Sequence, residues 1–259
     1  MEISCLQFMM VMKTTEPIAR VRTRRHQILS LQPLLRAATP LVVGTLHDPA
    51  GLKFLTKAVT RASLLQGVDV LEARLDSLPL DKLPVSWPLP VIATARHAGE
   101  GGAGNLSQSR RQGLLEGALP WASALDIELR SARHLAPLIA QVHQQGKTLI
   151  LSHHDFEATP TLPMLKKLAS KAAAHGADLF KVATTLRDRQ DLQRLIDLQL
   201  SRTEIPVVAM GMGAAGRFSR IVLAGFGTPL CYGWLGSPQV PGQWPALELR
   251  KILGEVLPA

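Results

Sequence analysis

The chain has 259 residues, of which 46% are hydrophobic and 19% are charged, so it can bury a large core and is neither disordered nor of low complexity. No apolar run approaches the roughly 18 residues that cross a bilayer, which excludes a membrane-spanning helix. Its two cysteines, Cys5 and Cys231, are too few for a disulfide scaffold or a cysteine-rich zinc site, so we expect a reducing compartment, the cytoplasm.

The formal net charge of +9 makes nucleic acid a partner to consider. Aromatic residues, which stack on the bases of single strands, make up only 4% of the chain. We therefore expect no nucleic-acid partner and no membrane partner. The positive charge is instead expected to attract an anionic small-molecule substrate.

Residues 1–40 show no clear helix or strand period and are rich in arginine. The apolar stretch Leu6–Met12 has no basic residues before it and no small-residue cleavage site after it, so it fits a secretory signal poorly. We predict a basic N-terminal extension over residues 1–40, without an assigned function, and a single catalytic domain over residues 41–259.

From residue 41 the chain repeats one pattern, in which a short run rich in Val, Ile and Leu is followed by a turn and a segment with helical spacing. Helix signals include the Asp48-Pro49 start and the Gly146 stop. The predicted strands are Leu41–Leu46, Asp69–Arg74, Val91–Arg96, Ala124–Leu129, Thr148–Ser152, Leu179–Ala183, Pro206–Met210 and Thr228–Tyr232.

Eight strand–helix units of this length predict an α/β fold, the (β/α)8 TIM barrel. A doubly wound open sheet is the alternative, although no G-x-G-x-x-G follows the first strand. In a barrel the carboxyl ends of the strands meet at one mouth. The polar residues expected there are Thr45, Glu72, Arg74, Arg96, Glu128, Ser152, His153, His154, Lys181, Arg220, Gln239 and Gln243.

Lys181 places an ammonium inside an otherwise apolar strand, Leu179–Ala183. Burial and nearby arginines are expected to favour its neutral amine, which is the form that attacks a ketone to give a Schiff base. The alternative is an ion pair with Glu72 or Glu128 across the barrel, which by itself is about as well supported.

His153 and His154 are adjacent on an extended segment, so only one of them can face the barrel mouth. A histidine that shares a cleft with a buried lysine suits general acid–base chemistry near neutral pH. A metal site is disfavoured, because this stretch has no third ligand at the required spacing.

Other motifs at the mouth favour binding of an anionic or hydroxylated ligand. Glu72 and Arg74 lie on one strand face, where they hold either each other or a ligand. Arg96 precedes the glycine-rich loop 99–102, and a second glycine-rich segment, residues 211–216, leads into Arg220. An arginine in that position would bind a carboxylate through its forked guanidinium.

Taken together, these residues resemble the type I 3-dehydroquinate dehydratase family over about residues 40–259. The resemblance is strongest at Ser152-x-His154-Asp155-Phe156 and Lys181-Val182-Ala183. The other matching pieces, in the same order as in the family, are Glu72-x-Arg74-x-Asp76, Arg96 with Glu100-Gly101-Gly102, Thr159-Pro160, Ser219-Arg220 and Pro241-Gly242-Gln243.

The resemblance implies a hydro-lyase of the shikimate pathway, which leads to the aromatic amino acids, and one that uses neither a metal nor a nucleotide cofactor. It implies that Lys181 forms an imine with the substrate ketone, that His154 serves as base and then as acid, and that Glu100 supports the proton transfers. It further implies that Arg220 binds the substrate carboxylate. The substrate hydroxyls and ring would be held by Glu72, Arg74, Arg96 and Gln243.

The sequence departs from the family pattern at three places. Gln239 stands where the family often has serine, so its contact with the carboxylate depends on a longer amide side chain. Thr45 stands where some relatives have serine, and residues 1–40 do not resemble the strand hairpin that often closes the bottom of this barrel. Relatives are commonly dimers, so a homodimer is also an expectation.

Two other functions stay open at this point. A class I aldolase on the same fold would also need Lys181, and the glycine-rich segment 211–216 would suit the phosphorylated substrate that such an enzyme typically uses. A barrel without activity that binds anions through its basic surface is the second alternative, and the presence of both His154 and Lys181 argues against it.

Overall fold

The computed structural model describes residues 30–37, 39–60 and 65–257. Eight strands form the barrel: β1 (Leu41–Leu46), β2 (Val70–Arg74), β3 (Val91–Thr94), β4 (Ala124–Glu128), β5 (Thr148–Asp155), β6 (Leu179–Thr185), β7 (Val207–Met212) and β8 (Leu230–Trp234). A two-residue strand, β9 (Trp244–Pro245), pairs with the end of β8. The α-helices are α1 (Pro49–Thr60), α2 (Gln108–Ala118), α3 (Ala136–Gln144), α4 (Leu162–Ala174), α5 (Arg189–Leu200), α6 (Gly216–Gly225) and α7 (Ala246–Val256).

All strand pairs are parallel, and their order is β7-β6-β5-β4-β3-β2-β1-β8-β9. Each strand from β1 to β6 pairs with the next along the chain, and β8 returns to pair with β1. This is the cyclic order of a (β/α)8 barrel, whereas a doubly wound sheet reverses its order near the middle. The predicted TIM barrel is therefore confirmed. Within the described strands, the seam of the barrel lies between β7 and β8, which share no ladder.

The strands are short, and every residue of β1, β2 and β4 is buried, because both faces of each strand are covered. Along β1, Val43 packs inside the barrel and Val42 packs outward against the helices. The interior cluster also includes the first residues of several strands and Leu31, which is only 1% exposed. Leu31 therefore helps to close the amino end of the barrel, a role that the sequence did not predict.

The connection between β2 and β3 departs from the repeated strand–helix pattern. It contains one short 3-10 turn, Leu80–Lys82, and no α-helix in the described chain. Prolines at positions 79, 84, 88 and 90 lack the N–H that a helix interior requires. The prediction of eight strand–helix units is wrong for this one unit.

Several strand boundaries also differ from the predicted ones by one to three residues. The predicted third strand reached Arg96, but β3 ends at Thr94, because the Arg96 N–H donates to Asp76 rather than to a neighbouring strand. The opposite happens in β5 and β6, which continue to Asp155 and Thr185. The last residues of these two strands still pair with each other, as His154 does with Ala183. The mouth of the barrel is therefore formed by regular strand on this side.

Candidate active site

A cavity of about 310 Å³ opens at the carboxyl ends of the strands. Ten of the predicted residues line it, namely Thr45, Glu72, Arg74, Arg96, Glu100, His154, Lys181, Arg220, Gln239 and Gln243. Glu128, Ser152 and His153 were also predicted at the mouth, but they do not line the cavity. Sequence reasoning did not single out several further residues in its wall, including His47, Ser77, Met210, Met212 and Tyr232. A search for polar residues at the ends of strands identifies the charged side chains of a site, but it does not identify the apolar and aromatic residues that line the cavity between them.

Lys181 lies on β6 with its side chain inside the barrel, and the residue is 3% exposed. Its Nζ lies 2.8 Å from Oδ2 of Asp126 and 3.5 Å from Oε1 of Glu72. The ion pair proposed as the alternative is thus present with Glu72, while the second acid is Asp126 and not Glu128. Because Lys181 also lines the cavity, the ion pairs do not seal the amine away from a ligand.

Asp126 is the central acid of the site, and the sequence analysis missed it. It lies on β4 and accepts hydrogen bonds from Arg96, Ser152 and Lys181. Burial opposes its ionisation, but Arg96 and Lys181 outweigh burial and hold the pKa of Asp126 far below its ordinary value. A carboxylate inside the otherwise apolar stretch 124–127 was the signal available in the sequence.

His154, at the end of β5, faces the cavity, whereas the neighbouring His153 does not line it. His154 Nδ1 lies 3.2 Å from Oε2 of Glu100, and the same oxygen accepts the backbone N–H of His154 at 3.0 Å. Burial, together with positive Arg96 and Lys181, lowers the pKa of His154 well below its ordinary value. The imidazole is therefore neutral near pH 7 and has a nitrogen able to accept a proton.

Glu100 is held in a 3-10 turn, Ala98–Glu100, that ends at Gly101. Gly101 has a φ of 82°, and a Cβ at this position would lie 2.5 Å from the Phe156 ring. The positive φ favours glycine here, and the partly exposed Phe156 ring would have to move to admit a side chain. Burial and the negative charge of Glu128 raise the pKa of Glu100 to about 7.

The internal Glu72–Arg74 ion pair is not formed, and each residue has other partners. Arg74 makes a two-point ion pair with Asp76, through Nε at 2.9 Å and Nη2 at 2.8 Å. Glu72 accepts hydrogen bonds from Thr45 at 2.8 Å and Thr94 at 3.0 Å in addition to its contact with Lys181. Thr45 therefore holds a carboxylate of the site as well as lining the cavity.

Arg96 is held by acids of the barrel interior. Its guanidinium donates to Asp126 and Glu128, and it donates to the hydroxyl of Ser152 at 2.6 Å. Glu128 also forms a close ion pair with the buried Arg111. Alternating positive and negative groups thus run through the barrel beneath the cavity.

Arg220, on α6, is a buried cation of the cavity that has no acid beside it among the described residues. Its Nη1 donates to the carbonyl oxygens of Gly211, Gly216 and Gly242, and its Nε has no hydrogen-bond partner among the described residues. Burial lowers the pKa of Arg220 to about 10. An anion would supply the missing partner.

The two glutamines of the loop after β8 are linked to each other. Oε1 of Gln243 accepts the backbone N–H of Gln239 at 2.7 Å and that of Val240 at 3.4 Å. Gln243 therefore shapes the loop with its oxygen, which leaves its amide N–H groups available to a ligand.

The part of the chain that the structure describes offers neither a cluster of metal ligands nor a membrane-spanning helix. Among residues 30–37, 39–60 and 65–257, no three His, Cys, Asp or Glu side chains are grouped so that they could hold a metal ion. No helix in the described ranges is long and apolar enough to cross a membrane.

Comparisons with known proteins agree with this geometry. A family model described as Type I 3-dehydroquinase matches residues 53–256. The 3-dehydroquinate dehydratase of Methanothermobacter thermautotrophicus is 36% identical over 198 residues, which cover 74% of this chain and 87% of the relative. The enzyme of the same name from Methanothrix thermoacetophila is 33% identical over 227 residues, 85% of this chain and 93% of the relative.

Solved structures give the same result for the fold. The crystal structure of the 3-dehydroquinate dehydratase from Aquifex aeolicus aligns with a TM-score of 0.71 at 27% identity, covering 85% of this chain and all of that chain. The enzyme from Geobacillus kaustophilus aligns with a TM-score of 0.73 at 22% identity, covering 85% of this chain and 92% of that chain. The chain belongs to the type I 3-dehydroquinase family.

Proposed function

We propose that this chain converts 3-dehydroquinate to 3-dehydroshikimate, as a carbon–oxygen lyase of the shikimate pathway, through a Schiff base on Lys181. One observation carries the proposal: the amine of Lys181, the imidazole of His154 and the guanidinium of Arg220 line one cavity of about 310 Å³. This arrangement brings a nucleophile, a base and an anion-binding group to a single small molecule.

In the proposed reaction, the neutral amine of Lys181 attacks the ketone carbon, and water leaves as the protonated imine forms. The positive imine nitrogen draws electrons and acidifies the neighbouring C2–H bond. His154 takes the C2 proton and returns it to the C1 hydroxyl, which leaves as water while the C1–C2 double bond forms. Hydrolysis of the imine releases the product and regenerates Lys181, so the net change is the loss of one water.

The amine of Lys181 forms ion pairs with Glu72 and Asp126. The amine must therefore lose a proton before it attacks. We propose that the neutral His154 accepts this proton and returns it to the carbinolamine hydroxyl, which leaves as water, so that His154 is neutral again before it takes the C2 proton. Glu72 and Asp126 are poorer bases, because Lys181 and Arg74 lower the pKa of Glu72, and Arg96 and Lys181 lower that of Asp126, against the effect of burial.

The remaining predicted residues would bind and orient the substrate. Arg220 would bind the carboxylate, with Gln239 beside it, because its positive charge has no acid partner in the described chain. Glu72, Arg74, Gln243 and Thr45 would contact the hydroxyls from the wall of the cavity. Arg96 is already held by acids, so its contribution would come largely through Asp126. A homodimer and a cytoplasmic location remain predictions from the sequence.

Borohydride trapping tests the proposal. The protein is mixed with 3-dehydroquinate, reduced with sodium borohydride and digested, and the modified peptide is identified by mass spectrometry. We expect one stable adduct, on Lys181, and no adduct in Lys181→Met. Lys147→Met is a matched control, because Lys147 is also buried but donates to the Ala122 carbonyl at 2.7 Å outside the cavity. Labelling of another lysine, or of none, would contradict the mechanism.

A further inference from the structure

Tyr232, on β8, has no part in the reaction described above, yet it touches the amine on which that reaction depends. It is 4% exposed and belongs to the interior cluster of the barrel. Nζ of Lys181 lies over the Tyr232 ring, 4.1 Å from its centroid. A cation within about 6 Å of the face of an aromatic ring is attracted by the negative face of the ring, and more strongly where water is excluded.

The hydroxyl of Tyr232 does not explain why the residue is there. It is buried and has no hydrogen-bond partner among the described residues. A buried hydroxyl without a partner lowers stability, so a phenylalanine would pack in this place at no loss. The interaction that links Tyr232 to the site is therefore the contact between its ring face and the Lys181 amine.

The ring completes a three-sided enclosure around Nζ. Asp126 on β4 lies at 2.8 Å, Glu72 on β2 lies at 3.5 Å, and the ring of Tyr232 on β8 closes a third side. Other charged or titratable groups nearby include His154, at the end of β5, and Arg96, which shares Asp126 with Lys181. The two carboxylates attract the ammonium by charge, and the face of the Tyr232 ring contacts Nζ and restricts its position.

We propose that Tyr232 is a positioning residue for Lys181, holding Nζ against the face of its ring both before and after the imine forms. The protonated imine keeps the positive charge on the same nitrogen, so the ring attracts the intermediate as it attracts the ammonium. Because the ring is fixed in a packed strand, it limits the rotamers from which the amine attacks. This proposal rests on the proposed function, since it concerns the imine that Lys181 forms.

Two variants separate the ring from the hydroxyl. Tyr232→Phe keeps the ring, and we expect its rate of imine formation, measured by quenching with borohydride over time, to stay within about 3-fold of wild type. Tyr232→Leu removes the ring, and we expect this rate to fall by roughly 10-fold, because the amine is no longer held in the orientation from which it attacks. The dissociation constant for the substrate should change much less, because Arg220 and the hydroxyl-binding residues are intact.

The pH profile of trapping is a readout that a general loss of packing does not move. Without the ring, the ammonium is less stabilised, so the acid limb of the Tyr232→Leu profile should shift to lower pH, while that of Tyr232→Phe stays in place. Leu230→Ala is the control for a cavity, since Leu230 lies two residues earlier in the same strand and cluster. Equal profiles for the Leu and Phe variants, or a loss of rate in Leu230→Ala as large as in Tyr232→Leu, would overturn the proposal.

A second measurement needs neither turnover nor a Tyr232 variant. Tyr232 is the single tyrosine of the chain, so growth with 3-fluorotyrosine gives one ¹⁹F resonance. We expect this resonance to shift in Lys181→Met without substrate, and to stay in place in Lys147→Met. An unmoved resonance in Lys181→Met would overturn the contact itself, whereas a shift there without any borohydride adduct in wild type would leave the contact standing and reject the proposed function.

Discussion

One carboxylate oxygen of Glu100 serves both the backbone and the ring of His154: Oε2 lies 3.0 Å from the backbone nitrogen and 3.2 Å from Nδ1. An ionised carboxylate only accepts hydrogen bonds, so Nδ1 of the neutral imidazole must carry its hydrogen. The lone pair is then on Nε2. Glu100 thus selects the tautomer of His154 that can act as a base.

This relationship predicts a pH dependence of turnover. Burial raises the pKa of Glu100 to about 7, so Glu100 gains a proton as the pH falls through this value and no longer requires a hydrogen on Nδ1. We expect kcat to fall on the acid side with a midpoint near pH 7, as followed by the ultraviolet absorbance of the conjugated product. Glu100→Gln should have a lower plateau, by roughly 10-fold to 100-fold, and should lack this limb.

The matched control for this profile is Glu116→Gln, which changes an exposed glutamate on α2. Its profile should coincide with that of wild type. If the acid limb persisted unchanged in Glu100→Gln, the titrating group would have to be sought elsewhere in the cavity.

The same raised pKa predicts that Glu100 lowers the stability of the fold at alkaline pH. A carboxyl with a higher pKa in the folded state than in the unfolded chain favours folding when protonated, and this contribution is lost as the pH rises through about 7. A rise from 4.5 to about 7 corresponds to roughly 3 kcal/mol. Glu100→Gln should therefore be more stable than wild type at pH 8.

Urea unfolding at pH 5 and pH 8 checks this expectation. The difference in the free energy of unfolding between Glu100→Gln and wild type should be small at pH 5 and should grow towards pH 8. A constant difference across this range would mean that the ionisation of Glu100 does not oppose folding.

The sequence predicted the barrel because eight buried strands alternate with helical segments, and a barrel brings their carboxyl ends together. It predicted the residues that line the cavity for the same reason, helped by the family resemblance at His154 and Lys181. It did not predict which residues pair. Ion pairs across the barrel depend on which strands face each other and at what height, and a strand pattern shows only which face each side chain occupies.

Asp126 and Arg74 illustrate this limit. Asp126 pairs with Lys181 from β4 to β6 across 55 positions of sequence, which no local spacing reveals. Arg74 pairs with Asp76, two residues away, in preference to Glu72, because Asp76 lies beyond the strand end, where the chain turns back towards the guanidinium. The prolines between β2 and β3 indicate that no helix forms there. The regular pattern of the other strand–helix units led to the prediction of a helix in spite of them.

Asp126 is expected to support both stability and turnover. Removing one partner of a buried ion pair leaves the other charges uncompensated, at a cost of about 3–5 kcal/mol. Asp126→Asn should lose stability of this order at pH 7 and most of its turnover, because Lys181 and Arg96 lose the acid they share. Asp191→Asn is the control: Asp191 is also fully buried and paired with two arginines, but it lies outside the cavity, so only stability should fall.

The pH dependence of stability gives a separate check on Asp126. Its pKa in the folded state is held far below the ordinary value of 3.8, so its contribution to stability is present above about pH 4 and is lost as the pH falls below that value. Wild type should therefore lose stability more steeply between pH 5 and pH 3 than Asp126→Asn does. Parallel acid-unfolding curves for the two proteins would contradict the ion pairs assigned to Asp126.

Arg220 is expected to determine the affinity for the substrate more than the rate of its conversion. Its guanidinium is bound to three carbonyl oxygens and has no acid partner in the described chain, so it offers its charge to an anion. A hydrogen bond to a charged group contributes about 1.5–3 kcal/mol, so Arg220→Gln should raise KM by roughly 10-fold to 150-fold.

Arg217→Gln is the matched control, because the neighbouring Arg217 lies over the ring of Trp244 and does not line the cavity. Steady-state kinetics with 3-dehydroquinate would measure both variants, with the melting temperature checking that the loop held by Arg220 remains folded. A KM in Arg220→Gln within 2-fold of wild type would move carboxylate binding to another residue of the cavity, with Gln239 the first to examine.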